Sequence, residues 1–273
     1  MRINANTAIA SSRVLLVPYE ASHVLKYHDW MQDADIQEAT ASEPLSLEEE
    51  YENQVSWRVA RDKLTFIVCE PVRALGDGES RSVKARGADS DEHMRGDVNF
   101  FLYPDEDAPE EEEGQWLVGE VDVMIAAKEH RGQGLGEGAV RALLTYIFRN
   151  RSAILDEFIG DEPGSRGTSV KLRGLMAKIK ESNAGSRALF GKLGFRQKGE
   201  VNYFGEVTMV MEWQDAEALA ETWMGKDRYL RNDTSSIYIT PKCELQRSET
   251  YVSRSTVRQL TVARCERNKF PDL

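Results

Sequence analysis

A short glycine-rich segment holds the residue types best suited to binding a phosphate-bearing ligand. Its sequence is Arg131-Gly132-Gln133-Gly134-Leu135-Gly136, between a stretch typical of a strand and one typical of a helix. Glycines lack the Cβ atoms that would hold a ligand away from the backbone amides. Amides at the start of a helix favour an anion, because they lack partners and the helix dipole is positive there. The spacing therefore favours a phosphate-binding turn, and a turn without a ligand is the alternative.

Two other phosphate-binding motifs fit this segment less well. A P-loop requires the pattern G-x-x-x-x-G-K-[S/T], which does not occur in the sequence. A dinucleotide-binding turn requires G-x-G-x-x-A, which Gly134, Gly136 and Ala139 match, with Asp156 about 20 residues further on. That turn should directly follow its strand, but the polar segment Lys128 to His130 intervenes. The dinucleotide interpretation stays open as a lesser alternative.

The elements that must position this turn follow a mixed α/β order. Period counting predicts strands at 12–19, 65–70, 96–103, 116–126 and 171–180, and helices at 22–32 and 135–148. The capping box Ser46-Leu47-Glu48-Glu49 opens a further helix, whose residues Leu47, Tyr51, Val55 and Val59 give one apolar face. Asn183 caps another helix, which stops at Gly194, and a hairpin around Gly205 closes the order.

The remaining segments lack the hydrophobic periodicity of a helix or a strand. Residues 74–93 and 156–169 read as flexible insertions, and residues 214–273 as a poorly ordered C-terminal extension. The expected domain therefore spans residues 1–213. The carboxylates between Asp105 and Glu113 read as a solvated acidic turn, and no metal site is expected.

Composition excludes several classes of protein. The 46 acidic residues outnumber the 35 basic ones, for a net charge of -11, which argues against a nucleic-acid partner. No run approaches the roughly 18 apolar residues of a membrane span, so no membrane partner is expected. Three widely spaced cysteines form neither a disulfide framework nor a zinc motif. We expect a protein of a reduced compartment, the cytoplasm, with the nucleus as the alternative.

Two motifs, in order and on the expected elements, resemble those of the GNAT acetyltransferase superfamily. Arg131-x-x-Gly134-x-Gly136 is similar to its R/Q-x-x-G-x-G/A pyrophosphate loop. The run from Asn183-x-x-Ser186 to Leu189-Phe190-x-x-Leu193-Gly194-Phe195 is similar to its N-x-x-S/A…LF-x-K-L-G-F signature. Segments 14–19, 40–45, 65–68 and 96–99 resemble the N-acetyltransferase 9-like family. The resemblance covers about residues 1–213.

The resemblance implies a fold and a cosubstrate. The fold is α/β (α+β), a mixed, mostly antiparallel sheet whose two splayed central strands, 116–126 and 171–180, are flanked by helices. Acetyl-CoA would lie between these strands, with its pantetheine arm along the backbone of the first and its pyrophosphate on the glycine-rich loop. The implied cofactor-binding residues are Val123, Met124, Ile125, Arg131, Gly132, Gln133, Gly134, Leu135, Gly136, Asn183, Ser186 and Phe190.

The implied reaction needs a base for the amine and stabilisation of an oxyanion. Glu120 stands eleven residues before Arg131, where histone-type members carry a catalytic Glu, and Asp122 lies on the same strand face about 6.6 to 6.8 Å away. We predict Glu120 as the base and Asp122 as the second candidate; solvated strand carboxylates are the alternative. Many members carry a general-acid Tyr where this chain has Phe190, so the CoA thiolate would have to leave without that acid.

The resemblance also implies an acceptor groove, for which Glu43, Tyr51 and Tyr203 are the candidate residues. The expected activity is N-acetyltransfer from acetyl-CoA to an amine, with a peptide α-amine preferred over a lysine ε-amine. The alternatives are a non-catalytic CoA-binding interaction module, for example one associated with the cytoskeleton, and a small-amine acetyltransferase. Residues 1–127 carry 11 basic and 27 acidic residues, whereas residues 128–196 carry 13 and 7. This division favours a cationic protein or peptide acceptor.

Overall fold

A computed structural model describes residues 1–72, 82–108, 114–160, 169–226 and 235–239, and one mixed sheet lies at its centre. The described strands are β1 (Thr7–Ala10), β2 (Leu15–Pro18), β3 (Lys63–Cys69), β4 (Ser82–Lys84), β5 (Met94–Pro104), β6 (Gln115–Ile125), β7 (Val170–Lys180), β8 (Arg196–Lys198), β9 (Glu206–Glu212) and β10 (Ser235–Ile239). The described α-helices are α1 (Val24–Met31), α2 (Ala34–Thr40), α3 (Leu47–Val59), α4 (Leu135–Ile159), α5 (Ala184–Lys192) and α6 (Trp213–Lys226).

Strand order across the sheet is β4-β10-β1-β2-β3-β5-β6-β7-β9-β8. Its described pairs are antiparallel except β6 with β7 and β10 with β4. The predicted fold class, a mixed and mostly antiparallel sheet with two parallel central strands, is confirmed.

Helices cover the two faces of the sheet and bury two apolar clusters. On one face, α4 packs over β5 and β6, and α5 and α6 pack over β7 and β9. Leu64, Phe66 and Phe100 are buried in the cluster on this face. On the other face, α1, α2 and α3 pack over the alternate residues of β2 and β3, such as Val17 and Ile67. Alternation along each strand thus sends successive side chains into different clusters.

Helix α3 begins as predicted but turns a different side to the sheet. Ser46 and Glu49 form the predicted capping box. Glu50 and Gln54 are buried, however, whereas Leu47, Val55 and Val59 are exposed. Gln54 donates a hydrogen bond of 2.9 Å to the carbonyl of Tyr19, which satisfies its buried amide. The apolar stripe seen in the sequence is therefore a surface feature.

Helix α6 occupies residues that the sequence assigned to a poorly ordered extension. Its residues Trp213, Ala216, Ala220 and Trp223 are buried, and the helix packs on α4 and β7. Their spacing of three and four residues is that of one helix face, a period that the sequence interpretation missed. The prediction of poor order from residue 214 is wrong for this helix. Residues 227–234 and 240–273 lie outside the described residues.

The two predicted insertions are only partly described. Residues 73–81 and 161–168 lie outside the described residues, but 82–84 form β4 and 156–159 continue α4. Asp89, within the first insertion, is buried and bonds to Nε2 of His23 at 2.9 Å. This part is therefore packed against the short turn that precedes α1. In the described part of the chain, no helix has the length and apolar character needed to cross a membrane.

Candidate active site

The sheet opens between its two central parallel strands. Pairing of β6 with β7 ends at Glu120 and Met176. Strand β6 nevertheless continues to Ile125 against β5, and β7 continues to Lys180 against β9. The facing edges of β6 and β7 beyond that point therefore do not pair with each other. Backbone groups of such an edge need partners, so an extended chain-like ligand fits between the strands.

The glycine-rich segment forms the turn between this gap and α4. A short 3-10 turn, Lys128–His130, precedes it, and α4 begins at Leu135. Gly132 and Gly134 have φ of 74° and 82°, in the left-handed region that favours glycine. Within the described chain, no group accepts a hydrogen bond from the amides of residues 132–136. Amides without partners at a helix N-terminus are suited to an anion, and we call this group of amides the cradle.

Polar side chains brace this turn against its strand. Arg131 donates through Nε to the carbonyl of Ile125 and through Nη2 to that of Ala126, both at 2.8 Å. Gln133 donates through Nε2 to the carbonyl of Glu129 at 2.6 Å. Arg131 thus fixes the turn to the end of β6, and the Ile125 carbonyl is engaged by it.

A second arginine beside the turn was missed in the sequence. A Cβ on Gly134 would lie 2.8 Å from Nη1 of Arg13, which precedes β2. Arg13 also lines a cavity of about 540 Å³, together with His130, Gln133 and Leu135. Its guanidinium therefore adds positive charge beside the amide cradle. Residue 13 meets residue 134 only because the start of α4 packs against the start of β2, so the local sequence carried no signal.

We expect Arg13→Gln to weaken acetyl-CoA binding about tenfold at low salt, since one charge-assisted hydrogen bond is worth about 1.5 kcal/mol. Added salt should narrow the difference from the wild type. Isothermal titration with acetyl-CoA measures the affinities of both proteins. Arg61→Gln is the matched control, because Arg61 lies beside Gly160 at the opposite end of α4. Equal losses in both variants would contradict a role of Arg13 at the cradle.

The second signature motif lies on α5, beside the start of α4. Asn183 caps α5, since its Oδ1 accepts from the Ser186 amide at 3.0 Å. Phe190 is buried and meets Phe195 edge to face, with ring centroids 5.0 Å apart. A Cβ on Gly136 would lie 3.2 Å from Leu189, so glycine permits the close approach of α4 to α5.

Both candidate catalytic carboxylates lie on β6 where the strands separate. Glu120 is opposite Phe101 of β5, and Asp122 is opposite Asn99. The Glu120 carboxylate accepts from Nζ of Lys178, on β7, at 3.0 Å. The Asp122 side chain is accessible to solvent, although protein atoms surround it closely enough to reduce its hydration, and no ion pair of its carboxylate occurs among the described residues. The two carboxylates therefore differ in their partners.

Behind Asp122, the sheet carries a buried polar group that the sequence interpretation missed. Asp97 is 2% exposed, Asn99 donates to its Oδ2 at 2.7 Å, and the Tyr27 hydroxyl lies 3.3 Å from the same oxygen. Desolvation raises the pKa of Asp97 to about 7, and the charge of Asp122 adds to the rise. Desolvation likewise raises the pKa of Asp122, with Glu120 acting in the same direction. Polar residues at 97 and 99 in an otherwise apolar strand were the available signal.

The charge of Lys63 acts on both Asp97 and Asp122. Burial lowers its pKa to about 8. Its ammonium lies 2.9 Å from the ring centroid of Trp57 and 4.7 Å from that of Phe101. The aromatic rings hold the cation on β3, on the same sheet face as Asp97 and Asp122.

The candidate acceptor residues lie on two separate segments. Glu43 is exposed in the link between α2 and α3, and Tyr51 is half-buried on α3. Tyr203 is 97% exposed in the turn before β9, with its ring 5.4 Å from that of Phe204. No described contact joins these three residues to Glu120 or Asp122. Their assignment as acceptor residues remains a prediction.

Comparison with known proteins gives consistent matches. A family model described as an acetyltransferase (GNAT) domain matches residues 13–196. The N-acetyltransferase 9-like protein of Caenorhabditis briggsae is 38% identical over 228 residues, covering 83% of this chain and 96% of that protein. Human alpha/beta-tubulin-N-acetyltransferase 9 is 38% identical over 218 residues, covering 80% and 88%. A GNAT-family acetyltransferase structure from Bacillus anthracis shares the fold, with a TM-score of 0.50, 15% identity and coverage of 75% and 98%.

Proposed function

This chain belongs to the GNAT acetyltransferase family and is an acetyl-CoA-dependent N-acetyltransferase, and we infer that it acetylates an α-amine. The acceptor that we propose is a cationic protein or peptide. The observation that carries this inference is the pair of carboxylates, Glu120 and Asp122, placed where β6 and β7 separate. An ammonium group is attracted to such a place. A relative is named for N-acetylation of α/β-tubulin, which makes tubulin the first protein acceptor to test.

The residues present fit acetyl-CoA. The gap between β6 and β7 offers unpaired backbone beside Val123 and Met124 for the pantetheine arm, whereas the Ile125 carbonyl is engaged by Arg131. The amides of residues 132–136 and the Arg13 guanidinium suit the phosphates. A side chain at Gly134 would occupy this cradle, and Gly132 is open on its Cβ side. We assign Asn183 and Ser186, at the start of α5, to contact with the CoA arm.

Acetyl-CoA supplies an acetyl thioester, whose C–S bond breaks as the bond from the amine nitrogen to the acetyl carbon forms. The amine proton must pass to the protein. Asp122 suits this task better than Glu120, because Glu120 is held in an ion pair by Lys178. The raised pKa of Asp122 brings its basicity nearer to neutral pH. We therefore assign the proton to Asp122 and binding of the ammonium form to Glu120.

Phe190 offers no proton to the departing sulfur. It is packed in the core against Phe195, so its ring serves to position α5. A thiol has an ordinary pKa near 8.5, and departure as the thiolate needs no acid.

The acceptor reaches the carboxylates from the face covered by α1, α2 and α3. Glu43 and Tyr51 on one segment and Tyr203 on the other are the residues we assign to its rim. Glu43 adds negative charge, and the two tyrosines offer ring faces to an extended peptide or to a cationic side chain.

Labelled acetyl-CoA tests the acceptor class with one peptide in three forms, beside purified tubulin. The first form has a free α-amine and Arg as its basic residue, the second has a formylated α-amine and one Lys, and the third has both amines blocked. We expect label in the first form and in tubulin, with transfer decreasing as salt rises. Transfer confined to the second form would mean that the acceptor is a lysine ε-amine and not an α-amine. Tight CoA binding without transfer to any of these or to a polyamine would favour a non-catalytic binding module.

A further inference from the structure

Three polar residues form a row across the sheet beside the candidate base. Thr65 of β3 pairs with Asn99 of β5, and Asn99 pairs with Asp122 of β6. Directly opposed side chains on one face have Cβ atoms about 4.5 to 5.5 Å apart. Asn99 is thus an immediate neighbour of Asp122 and is itself 3% exposed. No substrate needs to touch Asn99 for it to influence Asp122.

The side-chain amide of Asn99 has one end fixed and one end free. Its Nδ2 donates to Oδ2 of Asp97 at 2.7 Å, because a carboxylate oxygen requires a donor there. The Tyr27 hydroxyl lies near the same Asp97 oxygen and helps to hold it. The other end, Oδ1, is buried and has no hydrogen-bond partner among the described residues. A buried carbonyl oxygen without a donor is unfavourable, so a donor is expected at some stage of the reaction.

We propose that Asn99 is a positioning residue of the transfer reaction, whose free carbonyl oxygen accepts a hydrogen bond from Asp122 once that carboxylate has taken the amine proton. This role rests on the proposed function. Before transfer, ionised Asp122 has no proton to donate, and Asn99 Oδ1 stays unpaired. After transfer, the new O–H of Asp122 is the donor that this oxygen lacks.

The proton balance is simple. The amine N–H bond breaks, an O–H bond forms on Asp122, and the sulfur leaves as the CoA thiolate. The hydrogen bond to Asn99 exists only in the protonated state of Asp122, so it favours that state. The chain from Asp122 through Asn99 to Asp97 and Tyr27 then keeps the base oriented across the gap.

The electrostatic surroundings of Asp122 must be counted in any pH test. Glu120 on the same strand, Asp97 and Lys63 act on it directly, and Asp122 in turn acts on Tyr27 and Tyr103. Several charged or titratable groups surround Asp122. They are Glu120 on β6, Asp97 and Tyr103 on β5, Lys63 on β3, Asp62 directly before β3, Tyr19 before α1, Tyr27 on α1, Glu50 on α3 and Lys178 on β7.

Asn99→Leu, which keeps most of the volume, tests the proposal in the full chain. The acid limb of the pH profile of kcat should move to lower pH by about 0.5 to 1 unit, because the protonated form of Asp122 loses its hydrogen bond. Loss of the donor to Asp97 acts in the same direction, since a neutral Asp97 no longer opposes ionisation of Asp122. KM for acetyl-CoA should not change.

Thr65→Val is the matched control, because Thr65 also has a buried oxygen without a described partner and lies on the opposite side of Asn99. It should leave the pH profile unchanged; an equal shift would make Thr65 the partner of Asn99 and overturn the proposal. Tyr27→Phe serves if Asn99→Leu fails to fold, and should shift the limb in the same direction by less. The proposal would also be overturned if a folded Asn99→Leu enzyme transferred acetyl groups with the acid limb of its pH profile unshifted. If the wild-type chain transferred no acetyl group, the proposed function would be refuted instead.

Discussion

Replacing Asp122 by asparagine is expected to lower kcat about 100- to 10,000-fold, the usual contribution of a positioned general base. Asparagine preserves the size of the side chain but cannot take a proton at neutral pH. The affinity for acetyl-CoA should stay within about twofold of the wild type, because the cradle at residues 132–136 is on a separate turn. Transfer at saturating acetyl-CoA and peptide, with titration of acetyl-CoA alone, measures both quantities.

Two glutamate variants distinguish the base from its neighbours. Glu120→Gln should raise KM for a cationic acceptor more than it lowers kcat, because we assign Glu120 to binding of the ammonium. Glu206→Gln is the matched control: Glu206 pairs with Lys180 at 3.3 Å, and its side chain is 16% exposed, as is that of Glu120. It should transfer acetyl at the wild-type rate. A loss of kcat in Glu120→Gln as large as in Asp122→Asn would transfer the role of base to Glu120.

Replacing Gly134 by valine is expected to weaken acetyl-CoA binding at least about tenfold. A β-branched residue is strained at φ 82°, and its Cβ would lie 2.8 Å from Nη1 of Arg13. The turn would have to move its amides away from the phosphates, with the loss of about 1.5 to 3 kcal/mol for each charge-assisted hydrogen bond. Isothermal titration with acetyl-CoA gives the loss in affinity.

Gly199→Val separates the cradle from general backbone strain. Gly199 has φ 72°, and nothing lies within 4 Å of the position of its Cβ. Both variants should lose similar thermal stability, since a left-handed conformation costs a non-glycine residue about 1 to 2 kcal/mol. Only Gly134→Val should lose affinity. If a folded Gly134→Val protein kept the wild-type affinity for acetyl-CoA, the phosphates would not bind at this turn.

Local sequence signals predicted much of the fold and the turn at its centre. The capping box at Ser46, the Asn183 cap and the glycines at 132 and 134 act within one or two turns of chain, so their residues determine the outcome directly. The direction in which a helix faces depends on distant partners. Helix α3 therefore buries Gln54, which has a partner in the carbonyl of Tyr19, and leaves Val55 exposed.

Local sequence likewise predicted some residues of the candidate site and missed those that reach it through distant contacts. Glu120 and Asp122 could be identified from their strand and from their distance to Arg131 along the chain. Arg13, Asn99 and Lys178 could not. Packing of α4 against the start of β2 brings Arg13 to the cradle, and sheet pairing brings the other two to the carboxylates. The helix face of α6 was visible in the spacing of its tryptophans and alanines, but residues 214–226 were interpreted as part of a poorly ordered extension.

A structure of the chain bound to CoA covalently joined, through an acetyl bridge, to the α-amine of a peptide tests the central assignment most directly. We expect the pantetheine arm between β6 and β7, the phosphates on the amides of residues 132–136, and the peptide nitrogen on the sheet face of Glu120 and Asp122. Phosphates bound away from that turn, or a peptide nitrogen on the face covered by α4 and α6, would contradict the assignment.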